Sequence, residues 1–468
     1  MNKLLTQLSR LFQFSVAALK GTDADYTKGS INKAIALLAI PMVTEMIMES
    51  LFAIVDVYFV AKVSVNAVAT VGLTEAVLFI IYAVAEGLSI AAAAIVARRV
   101  GEKNLKTAGD AAFQAITVAL LIGLPLGVIG FLFSDNVLSL MGGSQDLINE
   151  GGKYTQIMYA GNISVILLFL LNGVFRGAGD AATAMRSLWL ANGINIILDP
   201  ILIFGWWIFP EMGVAGAAVA TTIGRSVGVI YQLYFLLGKN AIVRIHVKNM
   251  VVKTQMIIEL FKVSFGSVAQ FLIDSASWIV LVRVISIFGP DAIAGYTIAI
   301  RIVIFSILPS WGLSNAAATL VGQNLGAKKP ERAVKSVWRA AWVNTIFLFL
   351  VSVVFFLLAD WIIGFFTPEP IVKGNAINAL KIICGGYIFF SIGMVLGQAF
   401  NGSGDTRTPM WVRLGVFWLL QIPLAYILAV PLKFEDEGVY ISIAFSQALY
   451  AAIMIVLFNR GTWKKTIV

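Results

Sequence analysis

The chain is poor in the residues that do chemistry in water. Among 468 residues there is one cysteine, Cys384, and one histidine, His246. A lone cysteine excludes an internal disulfide framework, and a single thiol with a single imidazole builds no transition-metal centre. No Ser/His pair, metal-binding His-Glu motif or paired-aspartate signature speaks for catalysis, so no enzyme activity and no cofactor are expected. Charge is scarce too: Asp, Glu, Lys and Arg make up 13% of the chain, against roughly 25% in soluble domains. The short alternating segments of a membrane β-barrel are missing.

What remains is apolar. Hydrophobic residues make up 59%. Runs long enough to cross about 30 Å of hydrocarbon recur at 34–60, 67–97, 110–133, 152–175, 183–207, 213–237, 258–287, 292–322, 333–358, 373–400, 408–432 and 437–459. In lipid each run must satisfy its own backbone polar groups, which a helix does. The expected fold class is an all-α polytopic membrane protein with twelve transmembrane helices.

The chain also repeats itself at an offset of 225 residues. Gly87-Leu88-Ser89 returns as Gly312-Leu313-Ser314, and Gly101 with Lys103 returns as Gly326 with Lys328. Gly177-x-Gly179-Asp180 returns as Gly402-x-Gly404-Asp405, and Gly213-Val214 as Gly438-Val439. Each copy holds six spans, an even number, so both enter the membrane in the same sense. The two six-helix lobes should be related by a pseudo-two-fold axis along the membrane normal, the mark of a transporter built by duplication. The expected division is an N-terminal segment 1–33, a first lobe 34–237, a linker 238–257, a second lobe 258–459 and a tail 460–468.

Lys and Arg collect at one side of the membrane. Arg98, Arg99, Lys103 and Lys106 match Lys328, Lys329, Arg332 and Lys335, while Asp146, Glu150, Glu369, Glu435, Asp436 and Glu437 lie at the other side. This bias predicts that both termini are cytoplasmic. It accounts for the net charge of +9, so no nucleic-acid partner is expected. In the N-terminal segment Leu4, Leu8, Leu11, Phe12, Val16 and Leu19 recur at helical spacing, as in an interfacial helix. It lacks the compact apolar core and cleavage site of a signal peptide. His246, in the linker, reads as a solvated residue.

Charges inside spans are costly and mark function. The first span carries Glu45, Glu49 and Asp56, which fall within about 40° of one another on a helix. In the fifth span Asn195 and Asp199 share a face, and Pro200 then removes a backbone donor. Thr221 lies in the sixth span. At about 1.5 Å per residue, Asp56 lies about 10 Å from the outer end of its span, Asp199 roughly 15 Å and Thr221 about 12 Å. Hard oxygen ligands at one depth suit a proton or a cation such as Na⁺ and no transition metal. The second copy replaces Asp56, Asn195 and Asp199 by Leu281, Leu420 and Leu424, and Thr221 by Ser446. Glu49, by contrast, matches Asp274, and the pair is a candidate for the substrate cavity between the lobes. Arg283 and Arg301 are the cations the sequence offers to neutralise these carboxylates.

These residues resemble the multidrug and toxic compound extrusion (MATE) family. The likeness covers about residues 30–460 and rests on Pro41 fifteen residues before Asp56, the repeated glycine segments, Asn195-x-x-x-Asp199-Pro200, and Gly213-Val214-x-Gly216-Ala217-Ala218-x-Ala220-Thr221. The resemblance implies a two-lobed antiporter that exports drugs in exchange for Na⁺ or H⁺. It implies that Asp56, Asn195, Asp199 and Thr221 bind the cation and that Pro41 bends the first helix. In the NorM-like branch the seventh and tenth spans carry an acidic pair. Asp274 matches its first member, but the second position is Phe390, so the chain is closer to the DinF-like branch.

The expectation is a monomeric exporter of amphipathic, often cationic, drugs and dyes in a bacterial or archaeal cytoplasmic membrane, working by alternating access. A lipid-linked oligosaccharide flippase of the related superfamily is the alternative. It would want a cationic cleft for pyrophosphate, whereas the cleft residues here are mostly carboxylates.

Overall fold

The computed structural model describes residues 12–22, 24–238, 241–246 and 250–466. All regular structure among them is helical. Ten helices are long and apolar enough to cross a membrane, and two bent pairs bring the spans to twelve. The first three are Ile31–Val60, Val65–Gly101 and Leu105–Leu140, and the fourth is the bent pair Gln145–Ala160 and Asn162–Ala178. Ala181–Phe204 and Val214–Leu237 complete the first lobe. The second lobe runs through Thr254–Ile285, Pro290–Gly326, Pro330–Gly364, the bent pair Pro370–Gly385 and Tyr387–Ser403, the eleventh span from Arg407 to Ala429, and Glu435–Arg460.

Most helices overrun the apolar stretches that foretell them, because capping carries them into the polar interface. Ser30, Ser64, Asn104, Ser144 and Asp180 each accept the backbone N–H three residues on, satisfying a donor that the helix start leaves free. The fourth span bends by 42° and the tenth by 54°. The breaks fall at Gly161 and Gly386, which occupy the same place in the two copies. The eleventh span has no such twin feature: it is π-helical over Leu414–Gln421, where the fifth span stays α-helical.

The duplication is visible in three dimensions. A side chain at Gly101 would run into the backbone carbonyl of Gln323, and one at Gly326 into that of Arg98. Gly326 is the copy of Gly101, and Gln323 the copy of Arg98, so the contact is reciprocal about an axis. Gly177 on Ala93 and Gly402 on Ala318 form another such pair within each lobe. Even the cores exchange elements. Ile35, Leu38 and Met42, in the early half of the first span, pack with Leu320, Val337 and Phe400 of the second lobe. Their seventh-span counterparts Leu260 and Val263 pack into the first lobe's core.

One end of the bundle is basic and carries residues 98–106, 328–339 and the described ends of the chain. Among the described residues, every hydrogen bond between the lobes lies toward this end. Thr319 donates to the carbonyl of Arg176 at 3.0 Å, and Gln323 to that of Gly177 at 3.0 Å. Segment 24–30 lies across the same seam. Asp25 pairs with Lys103 of the first lobe at 3.0 Å. Lys329 and Arg332 of the second lobe donate to the carbonyls of Thr27 at 2.9 Å and Lys28 at 2.8 Å. The Thr27 hydroxyl, with Lys103 behind it, holds the Asp25 carboxyl down at about 2, so this tie stays charged at any physiological pH. Of the segment before it, 1–11 lie outside the described residues. Residues 12–20 are helical, and Phe14 and Ala18 pack against the second lobe.

The reciprocal glycines give a direct test. Gly101→Leu and Gly326→Leu should each lower stability by about 1–3 kcal/mol, the usual cost of overpacking, seen as a drop in thermal unfolding temperature in detergent. Ala97, 1% exposed, should become reactive in both variants when replaced (Ala97→Cys) and probed with an impermeant maleimide. Unchanged stability and labelling would show that the basic end does not depend on this contact.

Candidate functional site

Three polar layers run down the inside of the first lobe. The deepest, toward the acidic end, joins the residues singled out above. Asn195 donates to Thr221 at 2.9 Å and to Asp199 at 3.3 Å. The carboxyl groups of Asp56 and Asp199 lie within hydrogen-bonding reach of each other. All four side chains are buried, Asp199 completely. Asp199 Oδ2 and Asn195 Oδ1 have no donor among the described residues. Two adjoining carboxyls with spare buried acceptors can hold one shared proton or one hard cation, since two bare charges at this distance repel.

The middle layer is Glu49. Its carboxylate accepts from Asn192 at 2.9 Å and pairs with Arg225 at 3.0 Å. The third layer is Glu45, which is fully buried. It pairs with Arg176 at 2.6 Å and accepts from Asn172 at 3.0 Å. Pro41 lies just beyond it, inside a helix that continues unbroken. The Thr44 hydroxyl donates to the carbonyls of Ile40 and Pro41, at 3.0 and 2.9 Å.

The second lobe repeats the frame and changes the contents. Leu281 stands at the Asp56 position, inside an apolar cluster with Ile285, Tyr296 and Leu380. Ser446 is buried, and its hydroxyl has no partner among the described residues. Phe390, at the tenth-span position, also packs against that cluster. Gln270 and Asn401 replace Glu45 and Arg176 and bond to each other, at 3.0 and 3.4 Å. Asp274 pairs with Arg413 of the eleventh span. Neither Arg283 nor Arg301 neutralises these carboxylates. Arg283 sits nine residues beyond Asp274, about 14 Å along the helix, whereas Arg413 reaches across from a neighbouring one.

Sequence reasoning passed over the second span. Glu75 lies in the neighbourhood of Asp56, and Tyr154 in that of Asp56, Glu75 and Asp199. Glu86 lies farther along, near Arg176. The signal was available: a carboxylate within an apolar run is as legible in 67–97 as in 34–60. Arg225 and Asn192 were legible only as polar residues in apolar spans, without a partner.

A known family matches this frame. The MatE family profile matches twice, over residues 41–201 and 267–427, once in each copy. The chain belongs to the MatE family. It is 28% identical over 437 residues to the probable multidrug resistance protein NorM of Thermotoga maritima, covering 93% of this chain and 94% of that one. It is 24% identical to the multidrug export protein MepA of Staphylococcus aureus over 438 residues, covering 92% and 95%. Among solved structures, an outward-facing multidrug resistance MATE transporter of the MOP superfamily superposes with a TM-score of 0.88 at 26% identity, covering 94% and 98%. A MOP superfamily transporter from Pyrococcus furiosus, described as having a binding pocket of reverse polarity, gives 0.87 at 25%, with the same coverage.

The two treatments of one position make a prediction for this MatE protein. Arg176→Asn leaves Glu45 buried without its charge partner and should cost about 3–5 kcal/mol of stability. Adding Glu45→Gln copies the Gln270–Asn401 arrangement and should recover most of that loss. Thermal unfolding of the purified single and double variants measures both. A double variant no better than Arg176→Asn would show that the layer does not act as a pair.

Proposed function

We propose that this MatE protein is a cation-coupled antiporter that exports amphipathic, often cationic, organic compounds across a bacterial or archaeal cytoplasmic membrane. Asp56 and Asp199 take the coupling ion, Na⁺ or H⁺, with Asn195 and Thr221 as neutral ligands. The observation that carries this reading is the spare acceptor capacity at one depth of the first lobe, where the matching position of the second lobe is filled by leucine. The export activity named for NorM and MepA supports it. On this reading the basic end faces the cytoplasm, and both chain ends lie there.

The coupling follows from charge. With Asp56 and Asp199 empty, the first lobe buries two carboxyls that repel. A proton or Na⁺ removes the repulsion and favours a tighter packing of the first, fifth and sixth spans. If substrate binds the two packings unequally, ion and drug exclude one another, and a gradient of one moves the other. Glu49 and Asp274 face the cavity in this reading, but each already holds an arginine, so they contribute dipole and shape more than net charge. A flippase for pyrophosphate-linked lipids would need free cations there, and Arg225 and Arg413 are both occupied.

Proteoliposomes loaded with dye test the proposal, with a sodium gradient and a pH gradient imposed separately. One of them should drive efflux. Asp56→Asn should abolish that efflux while the protein still folds and inserts. Asn195→Ala and Thr221→Ala should shift the ion concentration for half-maximal exchange, and Leu281→Ala, Leu420→Ala and Leu424→Ala should not. Wild-type rates in Asp56→Asn would remove the carboxylate from the mechanism.

A further inference from the structure

Spans two and eight are copies of each other and meet across the pseudo-two-fold axis at the basic end, where Gly101 and Gly326 make their reciprocal contacts. Toward the acidic end the same two helices bare their sides. Gly72, Glu75, Ala76, Phe79 and Ile80 are exposed on one, and Thr297, Arg301, Ile304 and Phe305 on the other. Two of these residues are charged. Glu75 lies ten residues in from Val65, the start of its helix, and Arg301 eleven in from Pro290, so both stand about 15–16 Å deep. Charges at this depth face a water-filled space rather than lipid.

A second observation gives their direction. Ala93 and Thr319 line one cavity between the lobes, nearer the basic end. Glu75 precedes Ala93 by eighteen residues, and Arg301 precedes Thr319 by eighteen, which is five turns at about 3.6 residues each. Each charge therefore lies on the same face of its helix as a residue of the shared cavity, about 27 Å farther along. Both look into the cleft that opens above that cavity, one from each lobe. Among the described residues neither has an ion-pair partner, whereas Glu45, Glu49 and Asp274 each hold an arginine. The hydrogen bonds between the lobes lie toward the basic end, so the cleft stands open at the acidic end and the two charges stay apart.

We propose that Glu75 and Arg301 form the outer gate, an ion pair that closes across the axis when the lobes part at the basic end and meet at the acidic end. The assignment rests on the alternating access of the export reading and is independent of the driving ion. Sign and height both match. The copy of Glu75 is Ile300 and the copy of Arg301 is Ala76, so closing brings opposite charges together and no like charges. In the open state both side chains are hydrated. Closing exchanges that water for the partner, and the desolvation cost offsets much of the attraction, which leaves a gate that reopens. Pro309, between Arg301 and Thr319, leaves a rung out of the ladder of span eight, so the Arg301 half swings while the Thr319 half stays packed.

The test swaps the charges. In reconstituted protein, Glu75→Arg or Arg301→Glu alone puts like charges on both walls and should slow gradient-driven dye exchange about tenfold, and the double swap should recover most of that loss. A packing role for either residue gives no recovery. A second measurement reads the gate without transport and decides where a charge swap fails to fold. In a Cys384→Ala background, Glu75→Cys with Arg301→Cys should be joined by a short bis-methanethiosulfonate that spans the reach of a Glu–Arg pair. The joined protein should lose exchange until a reductant frees it, and each cysteine alone is the control. No recovery in the folded double swap, or no cross-link, would overturn the gate. If the cysteine pair cross-links while the wild type moves no dye, the export reading fails and the gate stands.

Discussion

A carboxylate inside an apolar helix bundle has to be neutralised, because an isolated buried charge costs far more than a fold's whole margin of stability. The inner architecture of this MatE protein is a set of answers to that one demand. Glu45, Glu49 and Asp274 are each answered by an arginine from a neighbouring span. Gln270 and Asn401 answer it by carrying no charge at all. Asp56 and Asp199 have an amide and a hydroxyl beside them but, among the described residues, no arginine hydrogen-bonded to either carboxylate. In the proposed reading, this is the layer where the neutralising charge comes and goes.

The two lobes share a backbone and have diverged inside it. The close contacts of Gly101 and Gly177 are kept in the other copy by Gly326 and Gly402, because a backbone-to-backbone approach leaves no freedom for a side chain. The polar layers differ between the copies. The Asp56 layer became Leu281 and its apolar neighbours, and the Glu45–Arg176 pair became an amide pair of similar shape. Interchange of a buried ion pair with a neutral one is nearly free when both partners change together and expensive when one changes alone. The Glu45–Arg176 position shows the first case, since both of its members differ together in Gln270–Asn401.

The fold was legible because hydrophobic burial in lipid leaves long apolar runs, and duplication leaves a fixed offset. The residues of the proposed ion layer were legible for a related reason: Asp56 and Asp199 stand out against their spans, and depth could be counted along helices. Who touches whom was not. Arg413 and Arg225, rather than Arg283 and Arg301, meet the cleft carboxylates because contact depends on how neighbouring helices are rotated and offset, which no single span's periodicity records. The bends at Gly161 and Gly386 were hidden inside apolar runs. The π-helical stretch of the eleventh span, which begins one residue after Arg413, had no counterpart in the first copy to betray it.

The first span ties these parts into one machine. Its early half, through Ile35, Leu38 and Met42, belongs to the second lobe's core, and its later half carries Glu45, Glu49 and Asp56 into the first. A rearrangement that starts at Asp56 and moves the second lobe has this helix as its direct covalent path. Pro41 stands at the changeover. It removes the hydrogen bond to the carbonyl of Leu37, and the Thr44 hydroxyl turns back onto the carbonyls of Ile40 and Pro41. The span is thus weakest where its allegiance passes from one lobe to the other. An unbroken backbone ladder there would oblige both halves to move as a rod. In the proposed reading, with one rung missing, the Asp56 half shifts against the first lobe while the other half stays seated beside Gly312, which approaches the carbonyl of Met42 closely enough that a side chain would clash at 2.6 Å.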